Sequence, residues 1–430
     1  MKKTYRAGAM RLSIPLLLLA LAIAFGLWQW RSARAMELDL TAAREKAYFS
    51  ALDGLNALET DLSKVLIAES PGQHALLLSR IASLAAGISE NLAALPAAYG
   101  ADADGLKFLT QTADYAQTLA TAAAEGRLPS ETDTEQLMAL KTRSGELRAH
   151  LESGADFAYD AMPAAEKASG IEYPSLLYDG PFSDGLRRGT PRGLTGSAVT
   201  AEEAVAIATA FLGGERVQQA VRTSDTGGPM AAWGVSLNLG DVQVTAAVTQ
   251  QGGKMLWITP EHAGFEAQLD MEECIVHAKA FLNSRGFSDM QDSYTQQYDG
   301  MAVISFAATQ DGVMLYPDLV KVQVRMDTGA VIGLEANNYW MNHATRERLH
   351  PAITEEEAKL AVSSKLSISA AQLCVIPLSD GLGSGRTEAL CWEFDGQWNG
   401  DRYLIYIDAE TGEELQVLKV VLGGGGILTL

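Results

Sequence analysis

Apolar residues recur at helical spacing through the first third of the chain. Leu52, Leu55, Leu58, Leu62 and Leu66 form one stripe, and Leu77, Ile81, Leu84, Ile88, Leu92 and Leu95 form a second. Phe108, Tyr115 and Leu119 mark a third helix; Leu137, Leu140, Leu147 and Leu151 mark a fourth. Pro71, Pro96, Pro129 and Pro163 fall between or after the stripes, where a residue without an N–H ends a helix. Each stripe covers one face only, so the pattern predicts an antiparallel helical bundle over residues 37–167 with the stripes as its core. A leftover apolar face that takes a partner helix is the sharper alternative.

Residues 168–199 lose the helical period and are dense in Gly, Pro and Ser, the composition of a linker. Beyond them one pattern occurs three times. Thr200, Asp270 and Thr354 each stand three residues before a Glu (Glu203, Glu273 and Glu357), the arrangement of a capping box at a helix amino terminus. An amphipathic run follows each, and Ala210-Phe211-Leu212 of the first returns as Ala280-Phe281-Leu282 of the second. Segments rich in Val, Ile, Leu, Tyr and Phe come next, broken by Gly, Asn and Asp as antiparallel strands are. Each copy then reaches a turn glycine, Gly253, Gly329 or Gly412, lying 53, 59 and 58 residues after its cap. The spacing predicts three units over 200–262, 268–338 and, with a connector, 339–430, each a helix packed on an antiparallel sheet. The expected class is α+β.

The amino terminus adds a membrane anchor within residues 1–35. Nineteen uncharged residues, 12–30, lie between Arg11 and Arg31, a length of roughly 28 Å as a helix and close to the bilayer core. Trp28 and Trp30 stand where aromatic residues favour the interface, and four basic residues precede the span, which keeps the amino terminus in the cytoplasm. Cleavage after Ala35 is the rival reading, since Ala33-Arg34-Ala35 has the small-x-small form. Both readings put the bulk of the chain outside the cytoplasm.

Charge narrows the partners. The first 35 residues hold six of the 33 basic residues and no acid, so residues 36–430 carry 27 bases against 53 acids, or −26. Such an exterior repels nucleic acid and anionic headgroups. It favours solubility, or a basic protein partner. Three cysteines and six scattered histidines form no metal-ligand spacing, so no metal or cofactor is expected. Cys374 and Cys391 flank a Gly-rich loop and face each other across a predicted hairpin; reduced thiols and a bond both fit the sequence.

One motif raises catalysis. Asp327-Thr328-Gly329 has the order of an aspartic protease loop. The same order occurs at Asp225-Thr226-Gly227, and that chemistry needs two carboxylates sharing one proton. The three-copy pattern gives the plainer reading: the shared residue is the glycine, and Asp327, Thr328 and Thr411 suit a turn that binds its own backbone. No Walker loop or GxSxG is present.

The turn pattern resembles the PepSY module, most clearly around Gly329 and Gly412. The whole order resembles the YpeB germination-protein family of endospore-forming Firmicutes. The likeness is most specific in the linker, where Tyr173, Pro174, Tyr178, Asp179, Gly180, Pro181 and Phe182 fall in its motif, and in the run from Tyr339 to Lys359. The resemblance implies a non-enzymatic protein anchored in the inner spore membrane with its bulk on the cortex side, near peptidoglycan. It also implies a partner, a spore-cortex-lytic enzyme of the SleB kind, which the protein stabilises, localises or restrains until germination. A general envelope module for peptides or peptidoglycan is the alternative, and a protease using Asp327 is the remaining one.

Overall fold

A computed structural model of the chain describes residues 4–95, 103–154, 190–261, 264–378, 387–423 and 426–429, with side chains over 25–95, 104–153, 190–261, 264–378 and 387–421. The chain divides into two units. Met1–Leu66 and Ala75–Ile171 form a helical unit; Ile67–His74 and Glu172–Leu430 form a sheet unit.

The helical unit consists of α1 (Thr4–Val65), α2 (Pro71–Ala93), α3 (Ala103–Ala124) and α4 (Glu131–Gly154). The expected stripes supply its core: Leu55, Leu58, Leu62, Ile81, Ile88, Leu92 and Leu151 are buried. Leu84 is only half-buried, and Leu78 takes a core place that the stripe did not assign. Polar contacts fix the helix pairs. The Tyr48 hydroxyl donates to the Leu151 carbonyl at 2.8 Å, and Arg148 Nε pairs with Glu59 at 2.8 Å, joining α1 to α4. Tyr115 donates to Asp133 at 2.6 Å, joining α3 to α4.

Two boundaries differ from the sequence reading. α1 is continuous through residues 35–37, because no proline interrupts it between the expected anchor and the first bundle helix. Among the described residues no helix is long and apolar enough to cross a membrane. The span expected over 12–30 lies, as far as residue 24, where the helix is described and its side chains are not. Residues 190–199 belong to the sheet unit by their hydrogen bonds: Arg192 N donates to Met341 O and Val199 N to Gln250 O. The linker motif Tyr173–Phe182 and Pro163 lie outside the described residues.

The sheet unit contains three helix-then-meander segments. The first is α5 (Ala201–Phe211) with β1 (Gln219–Arg222), β2 (Ala232–Asn238), β3 (Gln243–Thr249) and β4 (Met255–Pro260). The second is α6 (Met271–Ser284) with β5 (Met290–Tyr298), β6 (Met301–Gln310), β7 (Val313–Arg325) and β8 (Val331–Glu335). A connector helix α7 (Asn337–Asn342) leads to the third: α8 (Glu355–Lys359), β9 (Ser367–Pro377), β10 (Glu388–Trp398), β11 (Asp401–Asp408), β12 (Glu414–Gly423) and the extra strand β13 (Gly426–Thr429). All lie in one sheet, ordered β1-β2-β3-β4-β8-β7-β6-β5-β13-β12-β11-β10-β9. A parallel pairing of β9 with β7 returns the sheet on itself, closing a ring of eight strands from β7 through β13 to β9.

Two cores follow from this. α5 and α6 press Ala204, Ala208, Ala278 and Leu282 onto Val235, Val244, Ile304, Phe306 and Val322 of the sheet. The matching Phe211 and Phe281 meet edge-on, with ring centroids 5.6 Å apart. The second core gathers Ala307, Met314, Cys374, Ile376, Ala389, Cys391, Tyr406 and Leu418 from strands of the ring. α8 is shorter than its amphipathic run suggested. After Lys359 the bonds tighten to the i→i−3 type, Ala361 N to Ala358 O and Val362 N to Lys359 O, and the helix stops.

Candidate functional site

The three caps and three turns are built alike. Thr200, Asp270 and Thr354 each accept from the backbone N–H of the Glu three residues on, and each Glu carboxylate returns a bond to the cap's own N–H. At the turns one backbone bond recurs: Thr249 N to Lys254 O, Arg325 N to Ala330 O, and Asp408 N to Glu413 O. The glycine in each loop has positive φ, +58° at Gly253, +73° at Gly329 and +76° at Gly412. Gly253 packs under Ile207 of α5 and Gly329 under His277 of α6. Both helix residues stand seven positions after their caps.

Asp327 is committed to this architecture. Its two carboxylate oxygens accept from Arg325 Nε at 3.0 Å and Nη2 at 2.7 Å. The Arg325 hydrogen bonds hold its carboxyl below the usual range. Thr328 Oγ1 donates to the same carboxylate at 3.2 Å. Arg325 also pairs with Asp241 of the β2–β3 loop, and its guanidinium lies 4.1 Å from the Phe265 ring centroid. The nearby acid therefore faces Asp327 across a cation, the reverse of a proton-sharing dyad. In the third turn Asp408 Oδ1 accepts from Glu410 N and Thr411 N, and Thr411 Oγ1 accepts from Glu413 N. These side chains close turns.

A second polar centre organises the connector. Arg346, nearly buried, forks onto Asp318 of β7 at 2.5 and 2.7 Å and onto Glu388 of β10 at 3.0 Å. His343 Nδ1 lies 2.8 Å from the same Asp318, and its ring stacks on Tyr339 with centroids 4.2 Å apart. The Tyr339–Lys359 run is thus a structural tie between β7 and β10. Sequence reasoning picked out the run and missed this role, because nothing local marks Asp318 as the partner of Arg346.

Inside the ring, Glu393 accepts from Tyr316 Oη at 2.6 Å and Gln372 Nε2 at 2.8 Å, and burial pushes its carboxyl up. Glu414 is buried at the start of β12 and accepts from the backbone N–H of Glu69 at 3.1 Å and of Ser70 at 3.2 Å. Burial raises it to about 7. Among the described residues no group of three His, Cys, Asp or Glu is placed to hold a metal.

Two open grooves lie on the surface of the described residues. In the helical unit, a groove of about 510 Å³ runs between α1 and α2, lined by Ser50, Gly54, Leu76, Ser83, Leu84 and Gly87 among others. In the sheet unit, one of about 470 Å³ is lined by Glu69, Leu360, Val362, Gly412, Glu413 and Glu414 among others. Leu360 stands 86% exposed at its rim.

Comparison with known proteins fits this architecture. The family description "YpeB N-terminal" matches residues 32–157, "YpeB sporulation, PepSY1 and PepSY2 domains" matches 165–349, and "Peptidase propeptide and YPEB domain" matches 352–418. The chain is 34% identical over 224 residues to sporulation protein YpeB of Halalkalibacterium halodurans, covering 52% of this chain and 49% of that protein. It is 32% identical over 230 residues to the Oceanobacillus iheyensis protein of the same name, covering 53% and 50%. The Bacillus subtilis protein of that name is 29% identical over 175 residues, covering 40% and 38%. The matched stretch therefore spans about half the length of these relatives or less. The solved carboxy-terminal domain of Bacillus megaterium YpeB aligns at TM-score 0.47 and 28% identity, covering 52% of this chain and 99% of that one. With three consecutive matches running from residue 32 to residue 418, the chain belongs to the YpeB sporulation-protein family.

Proposed function

We propose that this chain is a non-catalytic, membrane-anchored germination protein that binds a SleB-type spore-cortex-lytic enzyme and stabilises, localises or restrains it until germination. The observation that carries the reading is the Arg325–Asp327 fork. The carboxylates of both Asp-Thr-Gly sequences are paired to guanidiniums, Asp327 to Arg325 and Asp225 to Arg222. Family membership is then the strongest pointer to role, and PepSY domains are not known as catalytic. Anchoring is supported by exposed Phe25, Leu27, Trp28 and Trp30 at the end of the apolar run, and by exposed Met36, Leu38 and Leu40 just after it on α1.

Size-exclusion chromatography of the full chain in detergent with a SleB-type enzyme tests the partnership. Co-elution at stoichiometric ratio is expected. Separate elution, together with sedimentation of the chain alone on isolated cortex, would instead make it a wall-binding module.

A further inference from the structure

The first strand pair of the third segment sets Cys374 of β9 directly opposite Cys391 of β10. Leu378 N donates to Thr387 O at 2.9 Å, and the register runs unbroken from there to Cys374. The cysteines therefore occupy a hydrogen-bonded position of the ladder, where α-carbons lie about 5.5 Å apart. The α-carbon spacing is within the range a disulfide spans, about 4.4–6.8 Å, and bond formation draws the β-carbons from about 5.5 Å in to about 4 Å. Opposed residues share a face, and both thiols belong to the same buried cluster within the ring. The position matters to the fold, since β9 meets β7 at Met314↔Cys374 and Leu315↔Val375, the pairing that closes the ring.

We propose that Cys374 and Cys391, thiols in this structure, are the site of an intramolecular disulfide that joins the closing strand of the ring to β10. The oxidant is a disulfide of the exchange class, such as oxidised glutathione or a dithiol oxidoreductase. One cysteine thiolate attacks the oxidant's sulfur and expels a thiolate, leaving a mixed disulfide. The second cysteine thiolate then attacks the protein sulfur of that intermediate and expels the other thiolate. Two protein thiols have lost two electrons and two protons, and the oxidant has become two thiols. Both cysteines are fully buried, and burial pushes the Cys374 thiol up, so exchange belongs to the interval before the hairpin packs. Afterwards the same burial shields the bond from reductants. Cys274 lies in the other core, against α5 and α6, and serves as the internal reference.

The proposal is independent of any partner enzyme and is tested on the purified full chain in detergent. The denatured, reduced chain is refolded in a glutathione buffer with the disulfide form in excess, quenched in acid, and alkylated in denaturant before or after reduction. Of the three cysteines, one is expected to react before reduction and all three after it, with a Cys374–Cys391 linked peptide by mass spectrometry. Cys391→Ser refolded alike is expected to show both remaining thiols free. Three reactive thiols in the wild type, glutathione adducts in place of the link, or a link involving Cys274 would overturn the assignment.

Discussion

Gly329 lies against His277: a β-carbon at 329 would stand 2.7 Å from imidazole Cδ2 and Nε2, on a backbone with φ +73°. Gly253 has the same relation to Ile207, with 2.7 Å to Cδ1, whereas Gly412 has 3.5 Å to Ile353 Cδ1. Alanine thus meets both strain and overlap at the first two positions and mainly strain at the third. Gly329→Ala and Gly253→Ala are expected to destabilise by about 2–4 kcal/mol, and Gly412→Ala by about 1–2 kcal/mol. Equilibrium denaturation of the three variants checks the ranking.

Asp327→Asn separates a turn residue from a catalytic one. The Asp327–Arg325 pair is partly solvated, so its loss is expected to cost about 1 kcal/mol or less at neutral pH. The folded carboxyl is held below its ordinary value, so the pair stabilises above about pH 4 and the stabilisation is lost as pH falls through the folded value. Asp327→Asn should flatten the acid limb of the stability curve and leave the neutral region nearly parallel to wild type. An intact fold that has lost a proteolytic activity of the wild type would contradict the structural role.

Glu414 runs the other way. Its carboxyl rises from an ordinary value near about 4.3 to about 7 in the fold. Burial of Glu414 is therefore least costly to the fold below about pH 4.3 and most costly as pH climbs through about 7, although the Glu69 and Ser70 amides themselves favour its ionised form. His74, buried in the same segment and pushed down by burial, opposes this towards acid, because the released form gains a proton there. Hydrogen exchange of peptide 67–74, corrected for intrinsic rates, should rise between pH 5 and 8 in wild type more than in Glu414→Gln. Identical profiles would show that Glu414 does not govern the segment.

Arg346→Met should be among the most damaging single changes. It leaves Asp318 fully buried without its bidentate partner, a loss of about 3–5 kcal/mol. Arg346→Lys restores the charge and not the fork, so it should recover only part of this by chemical denaturation.

Much of this was legible locally. Helical stripes, proline breaks, capping boxes and turn glycines act within a few residues, so Leu58, Thr200, Asp270 and Gly329 could be read from the chain alone. The first strand of each meander was not. β5, Met-Gln-Asp-Ser-Tyr-Thr-Gln-Gln-Tyr over 290–298, is polar and partly exposed, and lacks the apolar alternation that marks a strand. β9 offers Ser, Ala and Gln at five of its first six positions. Ring closure and the Asp318–Arg346–Glu388 tie depend on pairings between residues 28 to 60 positions apart, which no local pattern encodes. Asp327 looked chemical because Asp, Thr and Gly suit both a turn and a catalytic loop; the repeat of the turn glycine favoured the turn, and the Arg325 fork is what holds the carboxylate there.

Dormant spores lacking this protein show whether it holds a lytic enzyme. Targeted mass spectrometry of the spore proteome, with a cortex-hydrolysis assay on the same preparation, should find the mature SleB-type enzyme lost or displaced and cortex hydrolysis reduced. An enzyme unchanged in level, location and activity would mean that the protein does not hold it.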